Sequence, residues 1–320
     1  MTRSGRRRAA LRAARWTAVA GGVLVGVIAA EVKFAHATIN AVDLIPPPDP
    51  TGTYGADGPR AAEPPLQIAL LGDSSAAGYG MEEAAETPGA LLAEGVAEWS
   101  GRTVLLRDLA VVGAVSSELD EQVDRALARD IDVAIILVGA NDVVRMVRPS
   151  VAVSHLVRAV ERLQAAGTAV LVGTVPDLGS IKPILPPLRH IARGWSRRIA
   201  AEQTIRVVRA GGRTISLADI LGSEFTADRD FFFGPDKFHP SAAGYAALAE
   251  VLLPSTLAAL GLLGDEQAEL ATYRGQAALP VAAAALRAVN TPGTELGQVP
   301  KPRGRLGRLW VRVARRPRAR

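Results

Sequence analysis

The sequence predicts an α/β protein built on a parallel β-sheet with helices on both faces, and three observations predict it. Five short apolar runs recur at 66–71, 103–107, 132–138, 169–174 and 213–217. Segments of helical periodicity separate them, near 88–99, 117–128, 150–166 and 187–210, and a last one follows at 241–260. The runs are continuously apolar rather than alternating, which is the pattern of strands buried on both faces. Strands and helices in that alternation give a parallel sheet, whose ligand site lies at the carboxyl ends of the strands.

Taken in order, the elements place polar residues at those ends. The first run, Leu66 to Leu71, stops at Gly72-Asp73-Ser74-Ser75. Gly72 permits a tight turn, and Ala76, Ala77, Gly78 and Gly80 leave room above the strand end. Ser74 is there either a helix N-cap or a nucleophile. The next helix starts at Thr87-Pro88, and the one near 150–166 at Ser150. Beyond the second strand comes VVGAVSS, 111–117, and after the third VGAND, 138–142. The fourth is followed by LGSIKPILPPLRHIARGW, 178–195. Its apolar residues among prolines, Ile184 and Leu185 included, are either a lid or acyl wall, or the packing of a long loop. Near the end of the sheet region stands FFFGPDKFHPSAAGYAALAE, 231–250.

The two ends of the chain differ from its body. Residues 1–37 carry seven Lys/Arg and one Glu, and residues 301–320 carry nine Lys/Arg and no acid. That leaves 21 basic and 31 acidic side chains in residues 38–300, so a nucleic-acid-binding core is excluded. There is no cysteine, hence no disulfide and no thiolate chemistry. Six arginines precede the fifteen uncharged residues Trp16 to Ala30, and Ala35-His36-Ala37 offers a small-x-small cleavage pattern. Glu31 and Lys33 interrupt the approach to it, so the segment is either a cleaved signal or a retained membrane anchor. Either way the arginines stay inside and the body is extracytoplasmic. The expected organisation is a basic N-region with signal or anchor (1–37), a Pro/Gly-rich linker (38–65), a catalytic domain (66–262), an extension with one weak helix near 278–289 (263–300) and a basic tail (301–320). In the tail, Leu306, Leu309, Trp310 and Val313 sit near helical spacing, as in an interfacial helix or a solvated tail.

Acyl transfer needs a nucleophile, a base, a group orienting the base, and donors for the oxyanion. Asp236 and His239 are three apart, so one turn of chain can bring the carboxylate to the imidazole Nδ1. Nε2 is then free to take the proton of Ser74. His36 lies by the export segment, while His155 and His190 sit in helical runs among arginines. Gly113 is either a turn glycine or an oxyanion donor, and Asn141 either an Asx-turn residue or a second donor beside the Ser74 N–H. Asp73 and Asp142 read as braces of their loops. Four of the six phenylalanines fall in 231–238, where Phe233 is a candidate for acyl contact.

Gly72-Asp73-Ser74, Gly113, Gly139-Ala140-Asn141-Asp142 and Asp236-Lys237-Phe238-His239-Pro240 resemble, in order and spacing, the four blocks of the SGNH (GDSL-type) hydrolase family. The likeness spans roughly 66–260 and is greatest to the family's exported actinobacterial esterases. It implies a flavodoxin-like three-layer sandwich with a five-stranded parallel sheet, and ester or thioester hydrolysis without metal or cofactor. Ser74 inherits the role of nucleophile, His239 of base and Asp236 of orienting acid, with Ser74, Gly113 and Asn141 as the oxyanion hole. Ser75 departs from the leucine of the family pattern, and the block around Gly113 lacks a neighbouring asparagine. The substrate expected is an acyl ester of a lipid or glycan, and the chain is expected to act as a monomer. An acyltransferase of the same fold is the alternative within the family. A metal-dependent phosphoesterase using Asp73, Asp142, Asp236 and His239 is the alternative outside it.

Overall fold

A computed structural model of the chain describes residues 3–39, 42, 44–181 and 184–263, with the short strands β7 (Thr272–Tyr273), β8 (Gln276–Ala278) and β9 (Leu296–Gln298). The tail 301–320, and the expected helix past Ala278, lie outside the described residues.

The five apolar runs form strands β2 (Leu66–Gly72), β3 (Val104–Asp108), β4 (Val133–Leu137), β5 (Ala169–Gly173) and β6 (Arg213–Ile215). They are parallel and lie side by side as β3-β2-β4-β5-β6. In chain order this is 2-1-3-4-5, the flavodoxin-like arrangement, which has its switch point between the first and third strands. The sheet differs from expectation at one edge. A sixth strand, β1 (Gly52–Tyr54), pairs antiparallel with β3, so the sheet is mixed and six-stranded. Three residues between prolines and glycines are too few to show a strand period. They nevertheless cover an edge that would otherwise stay open. The segment read as a linker therefore lies partly on the body, and Gly80 N–H donates to Ile45 O at 3.3 Å.

Successive residues of each strand feed opposite layers. Ile68, Leu70, Ile135, Leu137 and Leu171 face helices α3 (Pro88–Ser100) and α10 (Ala242–Ala259), where Leu92, Val96, Leu248 and Leu252 meet them. Ala69, Leu71, Ala134, Ile136 and Val172 face α4 (Leu119–Leu127), α6 (Pro149–Ala165) and α7 (Leu188–Arg209). Both sides of β2 and β4 are thus dry, which accounts for their unbroken apolar runs. Between these elements lie α2 (Ser74–Ala77), α5 (Ala140–Val144), α8 (Leu217–Ala227) and α9 (Arg229–Phe232). Among the described residues α10 alone is long and apolar enough to cross a membrane, but 67% of it is buried in the body, as befits a core helix. The N-terminal segment is one helix, α1 (Arg3–Ile39). Its Trp16, Val19, Val23, Val25 and Val27 are exposed, with Trp16 at 73%.

Candidate active site

Ser74 opens α2 directly beyond β2, and Gly72 makes that possible. Its φ is +135°, and a Cβ there would stand 1.8 Å from the carbonyl oxygen of Leu137. Any other residue would force β2 and β4 apart at the switch point. Asp73 caps α2, its Oδ1 accepting the Ser75 N–H at 2.9 Å and the Ser75 hydroxyl at 2.6 Å. Its Oδ2 is buried without a partner. Burial pushes the Asp73 carboxyl above its ordinary value, against the hydrogen bonds from Ser75.

The segment 233–240 brings the histidine. A turn closes where Gly234 N–H donates to His239 O at 2.8 Å, with Lys237 in the left-handed region at φ +58°. Inside it Asp236 Oδ1 accepts the N–H groups of Phe238 and His239, each at 3.0 Å. Asp236 Oδ2 lies 2.6 Å from His239 Nδ1, and His239 Nε2 lies 3.0 Å from Ser74 Oγ. Burial works to raise the Asp236 pKa, but the hydrogen bonds from His239 and from the two N–H groups prevail and hold it below its ordinary value. An ionised carboxylate only accepts, so Nδ1 carries the proton and Nε2 presents its lone pair to Ser74. The edges of Tyr79 and Phe238 meet the imidazole ring, each with centroids at 4.9 Å.

The loops after β3 and β4 approach from the other side. Asp142 Oδ2 accepts both the N–H and the hydroxyl of Ser116, at 3.0 and 2.8 Å, which braces one loop on the other. Burial raises the Asp142 pKa against those bonds. Asn141 Nδ2 donates to Ala114 O at 3.0 Å. Gly113 stands at φ +83° with open space where a side chain would be, and Arg145 Nη2 donates to its carbonyl at 3.0 Å. Asp73 and Asp236 each serve their own loop, while Asp142 ties its loop to the one that carries Ser116. Among the described residues no three metal-ligating side chains converge.

Two cavities meet at Ser74 and His239. The larger, about 530 Å³, takes in Gly113 and Asn141 and is walled by Val112, Val143, Ile184, Trp195 and Phe238. The smaller, about 110 Å³, lies under α8 and takes in Leu217, Leu221, Phe225 and Phe233. Phe233 and Ile184 therefore border the site in different cavities. Leu185 lines neither cavity and is 44% exposed.

Three supporting residues were not read from the sequence. Tyr245 is fully buried in α10, and its hydroxyl donates to Tyr79 O at 3.1 Å, under the Ser74 turn. Gln122 of α4 grips Gly72, its Oε1 accepting the N–H at 2.7 Å and its Nε2 donating to the carbonyl at 3.0 Å. Tyr79 carries no signal beyond its place after a glycine. Gln122, by contrast, breaks the apolar stripe Leu119, Val123, Ala126, and a polar residue there announces a buried partner.

Residues 70–247, more than half of the chain, match the model of the GDSL-like lipase/acylhydrolase family. The chain belongs to that family. It is 38% identical over 214 residues to the GDSL-like esterase Rv1075c of Mycobacterium tuberculosis (strain ATCC 25618 / H37Rv), covering 64% of this chain and 68% of that protein. Among solved structures it is similar to TesA, with 21% identity and a TM-score of 0.49 over 61% of this chain and 99% of that one. It is also similar to the lipase/acylhydrolase of Enterococcus faecalis, with 22% identity and a TM-score of 0.47 over 59% of this chain and 94% of that one. As a GDSL-type hydrolase the protein is an esterase or lipase.

Proposed function

We propose that this hydrolase is a serine esterase that cleaves carboxylic ester or thioester bonds of lipid or acylated-glycan substrates through an acyl-enzyme on Ser74. The observation that carries the reading is the relay Ser74 Oγ–His239 Nε2–Asp236, at 3.0 and 2.6 Å, set between two apolar cavities. Ser74 Oγ attacks the carbonyl carbon as His239 takes its proton, and the imidazolium is stabilised by ionised Asp236. The oxyanion is received by the N–H groups of Ser74 and Gly113 and by the Asn141 amide. His239 returns the proton to the leaving alcohol or thiol as the bond to it breaks. Water, deprotonated by the same nitrogen, then attacks the acyl-enzyme, and the acid leaves as Ser74 regains its proton.

The catalytic body works on the extracytoplasmic side in this reading. Six arginines ahead of an apolar stretch whose Trp16, Val19, Val23, Val25 and Val27 are exposed support a membrane segment with its basic end inside. The basic tail adds attraction to anionic lipid.

A fluorophosphonate should label Ser74, with the adduct mapped by mass spectrometry, and a panel of p-nitrophenyl esters from acetyl to palmitoyl should be hydrolysed. Ser74→Ala should abolish labelling and lower kcat by about 10⁴-fold or more, with little change in Tm. Hydrolysis that survives Ser74→Ala would overturn the mechanism.

A further inference from the structure

Helix α1 does more than lead the chain. Its final turns lie on the catalytic body, 157 residues from their partner in sequence: Glu31 Oε2 accepts the Leu188 N–H at 2.9 Å. Leu188 is the first residue of α7, so its N–H has no acceptor within the helix, and a carboxylate suits the positive end of the dipole. Glu31 breaks the apolar character of the segment, a choice without purpose in a signal peptide but a natural one for a docking contact. One residue on, Val32 lines the larger cavity, and Ala35, only 5% exposed, lines it too. Ile184, Leu188, Ile191 and Trp195 line the same cavity. The oxyanion donors and the wall supplied by α1 thus enclose one space.

The position of that wall bears on the substrate. Ala35 follows the end of the uncharged stretch by five residues, about 7.5 Å along a helix axis. The cavity mouth is therefore close to wherever the exposed apolar part of α1 is received. Val112, Val144 and Met146 line the cavity and are themselves exposed, extending its apolar surface outward. At about 530 Å³ the space is in the range of sites that engulf a small molecule.

We infer that Val32 and Ala35 are specificity-determining residues of the acyl site, that α1 is retained as a wall of it, and that the substrate is a lipid ester drawn from the membrane α1 enters. This rests on the serine esterase reading above. Cleavage after Ala37 would remove the Glu31 contact and both wall residues, so the inference selects a retained anchor over a cleaved signal.

The test uses the full chain in lipid nanodiscs with p-nitrophenyl acetate and p-nitrophenyl decanoate. Val32→Trp and Ala35→Trp each place an indole in the cavity. Each should lower the decanoate-to-acetate ratio of kcat/KM by about 10-fold or more. A ratio equal to the parent's, with hydrolysis still dependent on Ser74, overturns the wall and leaves the esterase reading standing. A parent with no Ser74-dependent hydrolysis of either ester removes both. Because a tryptophan can also unseat the helix, a second measurement stands apart from activity. The chain has no cysteine, so Val32→Cys with Leu188→Cys, two positions that line the same cavity and leave Glu31 in place, should be joined in native membranes by a short thiol-reactive crosslinker. Recovery of only unlinked, full-length chain would overturn the docking of α1.

Discussion

Replacing Asp236 by asparagine separates the two tasks of this side chain. Oδ1 accepts two backbone N–H groups at 3.0 Å, while Oδ2 meets the imidazole at 2.6 Å. An asparagine has one acceptor oxygen, and the two N–H groups claim it, since an amide nitrogen there would set donors against donors. The NH₂ must then face His239 Nδ1, which can accept it only as a bare nitrogen. The proton of the neutral ring moves to Nε2 and points at Ser74, where a lone pair is needed. Asp236→Asn should thus lower kcat by about 10⁴-fold, about 5.5 kcal/mol of barrier, with KM nearly unchanged. Stability should hardly move, because the turn keeps its acceptor. Asp236→Ala also impairs catalysis, but it orphans two N–H groups and should cost about 1–3 kcal/mol of stability as well. Steady-state kinetics on a soluble ester, with thermal melts of both variants, decide the matter. A kcat for Asp236→Asn within tenfold of the parent would refute the tautomer argument.

Asn141→Ala should lower kcat by about 10²–10³-fold with a modest change in KM, the mark of a donor used in the transition state; an effect confined to KM in the same kinetics would make Asn141 a binding or loop residue. Asp108 concerns stability rather than chemistry. Burial pushes its carboxyl up to about 7, the Ala110 N–H opposing and the Asp49 carboxylate adding to it. A raised carboxyl favours folding fully below its unfolded value, near 3.8, and that contribution is lost as pH rises through 7. Asp108→Asn should therefore stabilise the fold by a few kcal/mol at pH 8 and by little below pH 4, measured by urea unfolding at both. Equal effects at the two pH values would show that Asp108 ionises freely.

Much of this architecture was legible because β2 and β4 are dry on both faces, and dryness writes itself as unbroken runs such as Ile135-Ile136-Leu137. One capped start was equally readable: Thr87 accepts the Ala90 N–H, as Thr-Pro at a helix start suggests, whereas α6 starts at Pro149 after Arg148 and not at Ser150. What escaped was short or continuous with something else. β1 has three residues, and α8 begins at Leu217, one residue beyond β6, so its start was read as the end of the apolar run 213–217 although Ser216 is of the helix N-cap type. Ser74, Asp236 and His239 stood out because glycine, acid and imidazole are out of place at the ends of apolar runs. Neighbours in a loop were harder. Ile184 turns into the cavity while Leu185 turns to solvent, and nothing in Pro-Ile-Leu-Pro-Pro tells one from the other.

The polar residues hidden in the helices are explained by the geometry of strand ends. Where β2 and β4 leave the sheet, their backbone groups remain buried but lose the ladder that satisfied them. A glutamine amide offers an N–H donor beside a carbonyl acceptor on one edge, as a neighbouring strand does, so it can stand in for the missing strand. Gln122 does this for Gly72. On the same layer, Gln203 of α7 accepts the Val175 N–H at 2.9 Å and donates to Val138 O at 3.1 Å, tying β4 to β5 where VGAND begins. Each lies on the buried stripe of its helix, Gln203 between Ile199 and Val207. The loops bearing Ser74 and Asn141 are thereby anchored at their first residues by side chains that never touch the substrate. A site whose relay spans 3.0 Å needs that rigidity in its frame, since loops free to drift would open the distance between nucleophile and base.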